Sequence, residues 1–420
     1  MQPIRGVRDI LPNEIILWQY IYDLANEVFT LSNYQEIRTP ILENTELFKR
    51  SIGNYTDIVN KEMYNFIDQG NRDITLRPEG TSSIVRAFIS NKLYLQQRIH
   101  KLWYLGPMFR YERPQKGRQR QFHQLGIECI GSQNPIADVE VIRLAIQLLK
   151  SLKLNHYILE INSIGNFQER SQYKSKLKDY LNKYKNDLDK DSQNRLNNNT
   201  LRILDSKNIK TQEILKKAPK LTHFLQIESI EHFNEICNHL DYIDIQYTIN
   251  DKLVRGLDYY NYTAFEIKTK ESNNQNTICG GGRYDQLIQQ LGGPNTPSVG
   301  WAIGIERLIL LVKDILQINN NNIIIYIAIQ DIQISYKVWD IVKIIEKYKI
   351  NFEIDLSINH LNKQLKKANQ LCAKICFILG KKEIINNYIT VKWLETRIQQ
   401  EISINHLPKY LQYLKTHFKT

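Results

Sequence analysis

Arg110 and Glu112 stand two positions apart inside YLGPMFRYERPQKGRQRQFHQLGIE, residues 104–128. Apolar residues at both ends of this stretch read as an outgoing and a returning strand, with Pro114 and Gly117 supplying the turn. On an outgoing strand that spacing directs both side chains to one face. A planar guanidinium there can grip a phosphate in bidentate fashion, and a carboxylate can accept from an amino group. Between the strands lie Arg113, Lys116, Arg118 and Arg120, a cationic loop that faces solvent or a polyanion. A solvated basic hairpin with a cross-strand ion pair is the other reading. This stretch alone leaves both open.

Further polar groups occur where the chain must turn. In DITLRPEGTSSIVRA, Pro78 and Gly80 fix a turn between strand and helix, and Thr81 or Ser82 can cap the helix. Glu79 then sits at a strand's end, where it can meet an ammonium beside a helix N-terminus that favours anions. LVRGLDYYNYTAF, residues 253–265, packs Arg255, Asp258, Tyr259 and Tyr260 into one short span. Phenols on apolar rings suit a pocket that is both dry and hydrogen-bonding. ICGGGRYDQLIQQL carries three glycines before Arg283 and Tyr284, where backbone can approach a ligand closely; no Lys-Ser/Thr pair follows, so it is not a Walker-type loop. SVGWAIGIERL reads as strand then helix with Arg307 near the helix start.

The elements that position these groups follow from periodicity. Residues 14–30 form an amphipathic helix with Leu17, Ile21, Leu24, Ala25 and Val28 on one face, and a strand-like run leads to Pro40. A helix past Asp138 to Leu149 and a strand to Ile161 continue the sheet. Residues 166–240 change character: Lys, Asn, Asp and Gln dominate at helical spacing, with charges of both signs on exposed faces. Residues 319–322 are a polar linker, after which strands at 323–329, 352–356 and 375–379 alternate with helices at 335–348 and 361–373. That alternation argues for a small parallel or mixed α/β domain.

At 420 residues the chain has room for two or three domains, and 42% hydrophobic with 24% charged residues is ordinary for a globular protein. The 56 basic against 44 acidic residues leave +12, which favours a polyanionic partner without identifying one. Five scattered cysteines make no disulfide framework and point to a reducing compartment; Cys372 and Cys376 read as buried thiols rather than a metal site. No apolar run approaches a membrane span, and neither a secretory signal nor a transit peptide is expected at the N-terminus.

FRYE, the basic loop and QFHQLGIE together resemble the second signature motif of the class II aminoacyl-tRNA synthetases. GIERL resembles the third signature motif of that class, TLRPEGT, LVRGLDYY and GGGRYD are similar to runs of its histidine-specific members, and the resemblance covers nearly the whole chain. It implies an α+β protein with an antiparallel-sheet catalytic domain, a helical insertion and a C-terminal α/β anticodon-binding domain. The corresponding boundaries are 1–165 and 246–318 for the catalytic domain, 166–245 for the insertion and 319–420 for the last domain. It also implies activation of L-histidine by ATP and transfer to the 3′ end of histidine tRNA, with Mg2+ bound through the ATP phosphates and no protein metal site.

By the same resemblance, Arg110 and Arg255 are catalytic at the α-phosphate, Glu112 and Arg118 bind ATP, and Arg307 holds the γ-phosphate. Glu79, Thr81 and Gln124 take the histidine ammonium, while Glu128, Tyr259, Tyr260 and Tyr284 form the imidazole pocket. Gln115, Arg113 and Arg120 meet the tRNA. A homodimer through the N-terminal helix, no membrane association, and a cytoplasmic or plastid-stromal location complete the expectation. Tyr111 stands where the family commonly has His, pointing to the face opposite Arg110. Two rivals are a histidine-sensing regulatory subunit with the synthetase fold and a general basic RNA-binding protein. The first can dispense with phosphate-gripping arginines, and the second leaves the RGLDYY run unexplained.

Overall fold

The computed structural model describes residues 1–53, 56–115, 117–269, 276–316 and 324–418. Lys116, the 319–322 linker and Ile323 lie outside the described residues. The chain divides into two compact units, Met1–Gln317 and Ile318–Thr420. Among the described residues no helix is long and apolar enough to cross a membrane.

The first unit is built on an eight-stranded sheet. Its order is Gln35–Glu36, His100–Phe109, Gln121–Ile130, Ser298–Gly304, Thr277–Arg283, Asn261–Thr269, Tyr157–Gly165 and Thr248–Ile249. The central strands pair antiparallel, while the two-residue strands at the edges pair parallel. The strand expected to reach Pro40 is therefore only Gln35–Glu36. Beyond it the carbonyl of Thr39 turns to accept from Arg77 at 2.8 Å, and Pro40 has no N–H to give a ladder. Arg77 also donates to the carbonyl of Pro107 at 2.9 Å. It thereby ties the hairpin to a three-stranded antiparallel sheet of Leu42–Asn44, Asp73–Leu76 and Tyr64–Ile67.

Helix Pro12–Thr30 starts on a proline and buries Trp18, Ile21, Ala25, Val28 and Phe29, one stripe of a 3.6-residue period. Leu17 and Leu24, expected on that stripe, are half-buried because the face is centred on Trp18 and Phe29 instead. Phe29 packs against Trp103 and Trp301 of the sheet with ring centroids 5.7 and 5.9 Å apart. Helix Pro135–Ser151 lies buried along most of its length, and the indole N–H of Trp301 donates to its Val141 carbonyl at 2.7 Å.

Residues 166–242 form helices Phe167–Asn182, Lys190–Asn198, Ile209–Lys216 and Ile227–Tyr242, joined by short 3-10 turns. Asn166 and Glu169 make a reciprocal capping box that starts the first of them. Its Tyr173, Leu177 and Leu181, four apart, supply the buried stripe, so this polar segment owns part of the core.

The second unit has a five-stranded mixed sheet in the order Phe352–Ile354, Ile325–Ile329, Ile375–Leu379, Tyr388–Trp393 and Gln399–Ser403. The first three pair parallel and the last two antiparallel. The helix expected over 335–348 is α-helical only from Val338 to Tyr348, after a 3-10 turn at Ile332–Lys337. Cys376 is a buried thiol, but Cys372 is exposed. Helix Leu361–Gln370 ends in a left-handed turn at Cys372, φ 55°, which directs that thiol to solvent.

Candidate active site

Strands His100–Phe109 and Gln121–Ile130 pair residue for residue from His100–Ile130 to Phe109–Gln121. The ladder ends there, so Arg110 and Glu112 are not on a strand and the alternation argument does not apply. They face the same cleft for another reason. The Glu112 N–H donates to the Arg110 carbonyl at 2.8 Å, folding the chain back in a tight turn. The Arg110 Nε donates to the Pro78 carbonyl at 2.8 Å, and its guanidinium lies 5.3 Å from the Phe122 ring. Arg118 donates to Glu112 at 3.2 Å.

Two adjoining cavities share Arg110, Glu112, Arg118 and Gln124 on their walls. One, of about 190 Å³, is closed by Phe122, Ile278, Gly304 and Arg307. The other, of about 450 Å³, is lined further by Glu79, Thr81, Arg255, Tyr259, Tyr260 and Gly280. Arg307 begins the helix Ile305–Val312 and donates to the Thr277 carbonyl. Arg255 pairs with Glu266, while its Nε–H is buried without a hydrogen-bond partner among the described residues. Glu266 also accepts from Thr277 at 3.1 Å.

The three glycines of the GGGR run now have distinct reasons. A Cβ on Gly280 would sit 2.2 Å from the Arg255 guanidinium, one on Gly282 2.9 Å from the Tyr260 ring, and one on Gly281 2.6 Å from Trp301. Backbone with no side chain is what lets the cation and the phenol lie flat on the sheet.

Glu79 is 3% exposed and accepts from the N–H groups of Thr81 and Ser82 at 2.7 Å each. It, rather than Thr81 or Ser82, caps the helix Thr81–Ser90, whose N-cap Gly80 has no side chain to offer. The Thr81 hydroxyl is turned the other way, donating to Glu128 at 2.7 Å. Glu128 is fully buried, and Tyr284 donates to its second oxygen at 2.5 Å. Burial pushes this carboxyl up to about 8, against the two donated bonds that favour its charged form. Glu128 and Tyr284 thus lie behind the cleft wall and reach it through Thr81. Tyr259 and Tyr260 stack obliquely with centroids 4.6 Å apart, and burial pushes the Tyr260 phenol up to about 12.

Tyr104 went unnoticed in the sequence. Its hydroxyl is buried without a partner among the described residues, as is the side-chain carbonyl of Gln124. A Cβ on Gly80 or Gly126 would lie within 2.3 or 2.5 Å of the Tyr104 ring. The signal was register: Tyr104 pairs with Gly126, between the positions of Gln124 and Glu128, so all share one face.

The remaining candidates sit at the loop. Arg113 and Gln115 are exposed near its tip, where Gln115 and Arg118 exchange backbone bonds at 3.1 and 2.9 Å. Arg120 is half-buried and lies 3.8 Å over the ring of Tyr111, which is exposed. That stacking fixes Arg120 beside Tyr111.

The "Histidyl-tRNA synthetase" family model matches residues 6–308, and the "Anticodon binding domain" model matches residues 322–414. The chain is 62% identical over 399 residues to "Histidine--tRNA ligase, chloroplastic" of Gracilaria tenuistipitata var. liui, covering 95% of both chains. It is 49% identical over 403 residues to "Histidine--tRNA ligase" of Acaryochloris marina (strain MBIC 11017), covering 96% of this chain and 94% of that one. The structure of apo histidyl-tRNA synthetase from S. aureus superposes with a TM-score of 0.82 at 35% identity, over 98% of this chain and 99% of that one. Agreement of sequence and fold over nearly its full length means that the chain belongs to the histidyl-tRNA synthetase family.

Proposed function

We propose that this chain is a histidine–tRNA ligase whose two adjoining cavities take L-histidine and ATP. A histidine carboxylate oxygen attacks the α-phosphorus, the bond to the β-phosphate oxygen breaks, and pyrophosphate leaves. A terminal ribose hydroxyl of the tRNA then attacks the acyl carbon of the adenylate, and AMP leaves. The first step brings anions together, so its barrier responds to fixed cations. Arg110 and Arg255 flank the α-phosphate, Arg118 and Arg307 take the outer phosphates, and Glu112 accepts from the adenine amino group. Mg2+ comes in on the ATP phosphates; among the described residues no group of three or more His, Cys, Asp or Glu side chains is placed to hold a metal ion by itself. Bound to those phosphates, the ion would neutralise charge on the pyrophosphate leaving group.

Glu79 and Gln124 hold the histidine ammonium, and Tyr259 and Tyr260 wall the imidazole. Glu128 receives a ring N–H once the ligand displaces Thr81 or shares its oxygen, with Tyr284 keeping the carboxylate in place. Tyr104, whose hydroxyl is buried without a partner among the described residues on the strand face of Gln124 and Glu128, joins this set. Arg113, Gln115 and Arg120 serve the tRNA acceptor end.

The observation that carries this reading is that Arg110, Arg118 and Arg255 line one cleft with Glu79, Gln124 and two phenols. ATP–pyrophosphate exchange with each of the twenty amino acids tests it: histidine alone should support exchange. Exchange with another amino acid, or none at all, defeats the assignment.

A second copy completes the assembly: Ile15 and Tyr20 of the N-terminal helix and Leu42, Phe66 and Ile67 of the small sheet are exposed apolar residues suited to burial in a dimer. Sedimentation at a single-chain mass would remove that expectation. The plastid stroma is the favoured location, because two relatives at 62% and 54% identity are chloroplastic enzymes. Immunolocalisation outside plastids would refute it.

A further inference from the structure

We propose that Arg202, carried by the helical segment, is a further phosphate-binding residue of the cleft, and that Asp57 holds its place until nucleotide arrives. The proposal rests on the nucleotide site described above.

Arg202 lies in the 3-10 turn Thr200–Asp205, far in sequence from the motifs of the sheet, yet it lines the same cavity as Arg110, Arg118 and Arg255. Its Nη1 donates to Oδ2 of Asp57 at 2.8 Å, and Arg195 of the preceding helix approaches the same oxygen at 3.7 Å. One carboxylate oxygen thus draws two guanidinium groups from the helical segment. The pair is open to water, with side chains 28% and 42% exposed for Arg202 and Asp57. Such an exposed pair contributes little as a fastening.

The other side of the same guanidinium is dry. The Arg202 Nε–H is buried without a partner among the described residues. Its Nη2 reaches over Gly256, where a Cβ would stand 3.2 Å away, next to Arg255 in the chain. An unmade bond on a buried charged donor is unfavourable, and an anion entering the cleft can satisfy it. Carboxylate and phosphate offer similar oxygen geometry to a guanidinium fork, but a triphosphate brings more charge than Asp57 does. Exchange of Asp57 for phosphate therefore frees a carboxylate from two cations and gives the nucleotide a ligand from the helical segment. If the pair were only a strut between segments, Asp57 and Arg202 would be interchangeable partners and ATP indifferent to either.

The experiment is equilibrium binding of ATP, without histidine, to the full chain and to Arg202→Ala, Asp57→Asn and the double variant. We expect R202A to weaken ATP by about tenfold or more, the loss of one charge-assisted contact. D57N should tighten ATP, because the competing anion is gone, and most of that gain should vanish in the R202A background, leaving only what release of Arg195 adds. R202A within about twofold of the parent, or D57N unchanged or weaker, overturns the proposal. Should R202A fail to fold, the direction of the D57N change alone decides. A parent chain that binds ATP but shows no histidine-dependent exchange would defeat the activation reading and leave Arg202 standing. Histidine-dependent exchange with ATP affinity indifferent to Arg202 would do the reverse.

Discussion

The phenol of Tyr284 donates to Glu128 at 2.5 Å although 156 positions separate them. The bond is buried at both ends and fixes one carboxylate oxygen, while the other faces Thr81. A carboxyl group held in this way cannot rotate to escape an incoming imidazole, so its geometry is set before the ligand arrives.

Glu128→Gln should raise the histidine KM by about tenfold or more and leave the ATP KM within about twofold. A pocket that hydrogen-bonds a ring N–H discriminates through the group left unpaired when the bond is lost. Pyrophosphate exchange measured against each substrate in turn gives both constants. Equal changes in the two would remove Glu128 from the side-chain pocket.

The same variant should alter the pH dependence of stability. Glu128 is pushed from 4.5 up to about 8 by burial. The folded chain therefore retains a proton that the unfolded chain has lost, and stability falls as pH rises from 4.5 towards about 8. Gln does not ionise, so the Tm of Glu128→Gln relative to the parent should climb across that interval and level off above it. A difference that stays flat with pH would show that Glu128 is not buried in the protonated form.

Arg255 is aimed by Glu266, which pairs with it and is itself fixed by Thr277. Arg255→Ala should lower kcat for adenylate formation by about a hundredfold or more, as loss of a donor to developing charge does elsewhere. Glu266→Gln should lower it by less and leave the histidine KM within about twofold, because the guanidinium remains but is no longer oriented. Binding of tRNA, followed by filter retention, should be nearly unchanged in both. Exchange at an unaltered kcat in Arg255→Ala would refute its place at the α-phosphate.

These expectations divide by how much of each site was written locally. Arg255, Tyr259 and Tyr260 are close in sequence, and the glycines that let them lie flat form one run, so their meeting could be read without coordinates. Arg307 follows a glycine-bearing strand and is equally local. Tyr104 was hidden because a tyrosine in an apolar strand looks like core; only the pairing with Gly126 puts it beside Gln124 and Glu128. The cap formed by Glu79 was missed because hydroxyl residues stood at the expected cap positions. Gly80 moved the helix start and left that work to the carboxylate. Arg202 was invisible for a different reason. In a charged helical segment one arginine resembles its neighbours, and its position over Gly256 depends on how the segment packs. The parallel edge strands, two residues each, are too short for alternation to register.

Arg283 and Asp138 form an ion pair with side chains 1% and 0% exposed. Burial opposes the charge on Asp138, yet the Arg283 guanidinium and a contact from His232 hold the carboxyl down at about 2. Removing one partner strands the other, so Asp138→Asn should cost about 3–5 kcal/mol. Because the folded value lies below the ordinary 3.8, the ionised pair stabilises fully above that pH, and its contribution fades as pH falls towards about 2. Urea midpoints of parent and variant should therefore converge as pH drops from about 4 to about 2. A gap that widens on acidification would contradict the pair.

Glu79 has two claims on it, and they can be separated. As the cap of the helix Thr81–Ser90 it accepts two backbone N–H groups at 2.7 Å. As a wall of the cleft it is offered to the histidine ammonium through its remaining lone pairs. Glu79→Gln keeps one acceptor and turns an amide N–H towards the helix terminus, so Tm should fall by the equivalent of about 1 kcal/mol. The ligand test uses two inhibitors. Histidinol keeps the ammonium and lacks the carboxylate; imidazolepropionate keeps the carboxylate and lacks the ammonium. If Glu79 holds the ammonium, the substitution should weaken histidinol by about tenfold and imidazolepropionate by about twofold or less. A carboxylate that only caps the helix would disturb the pocket for both compounds alike, and equal losses would confine Glu79 to that structural role.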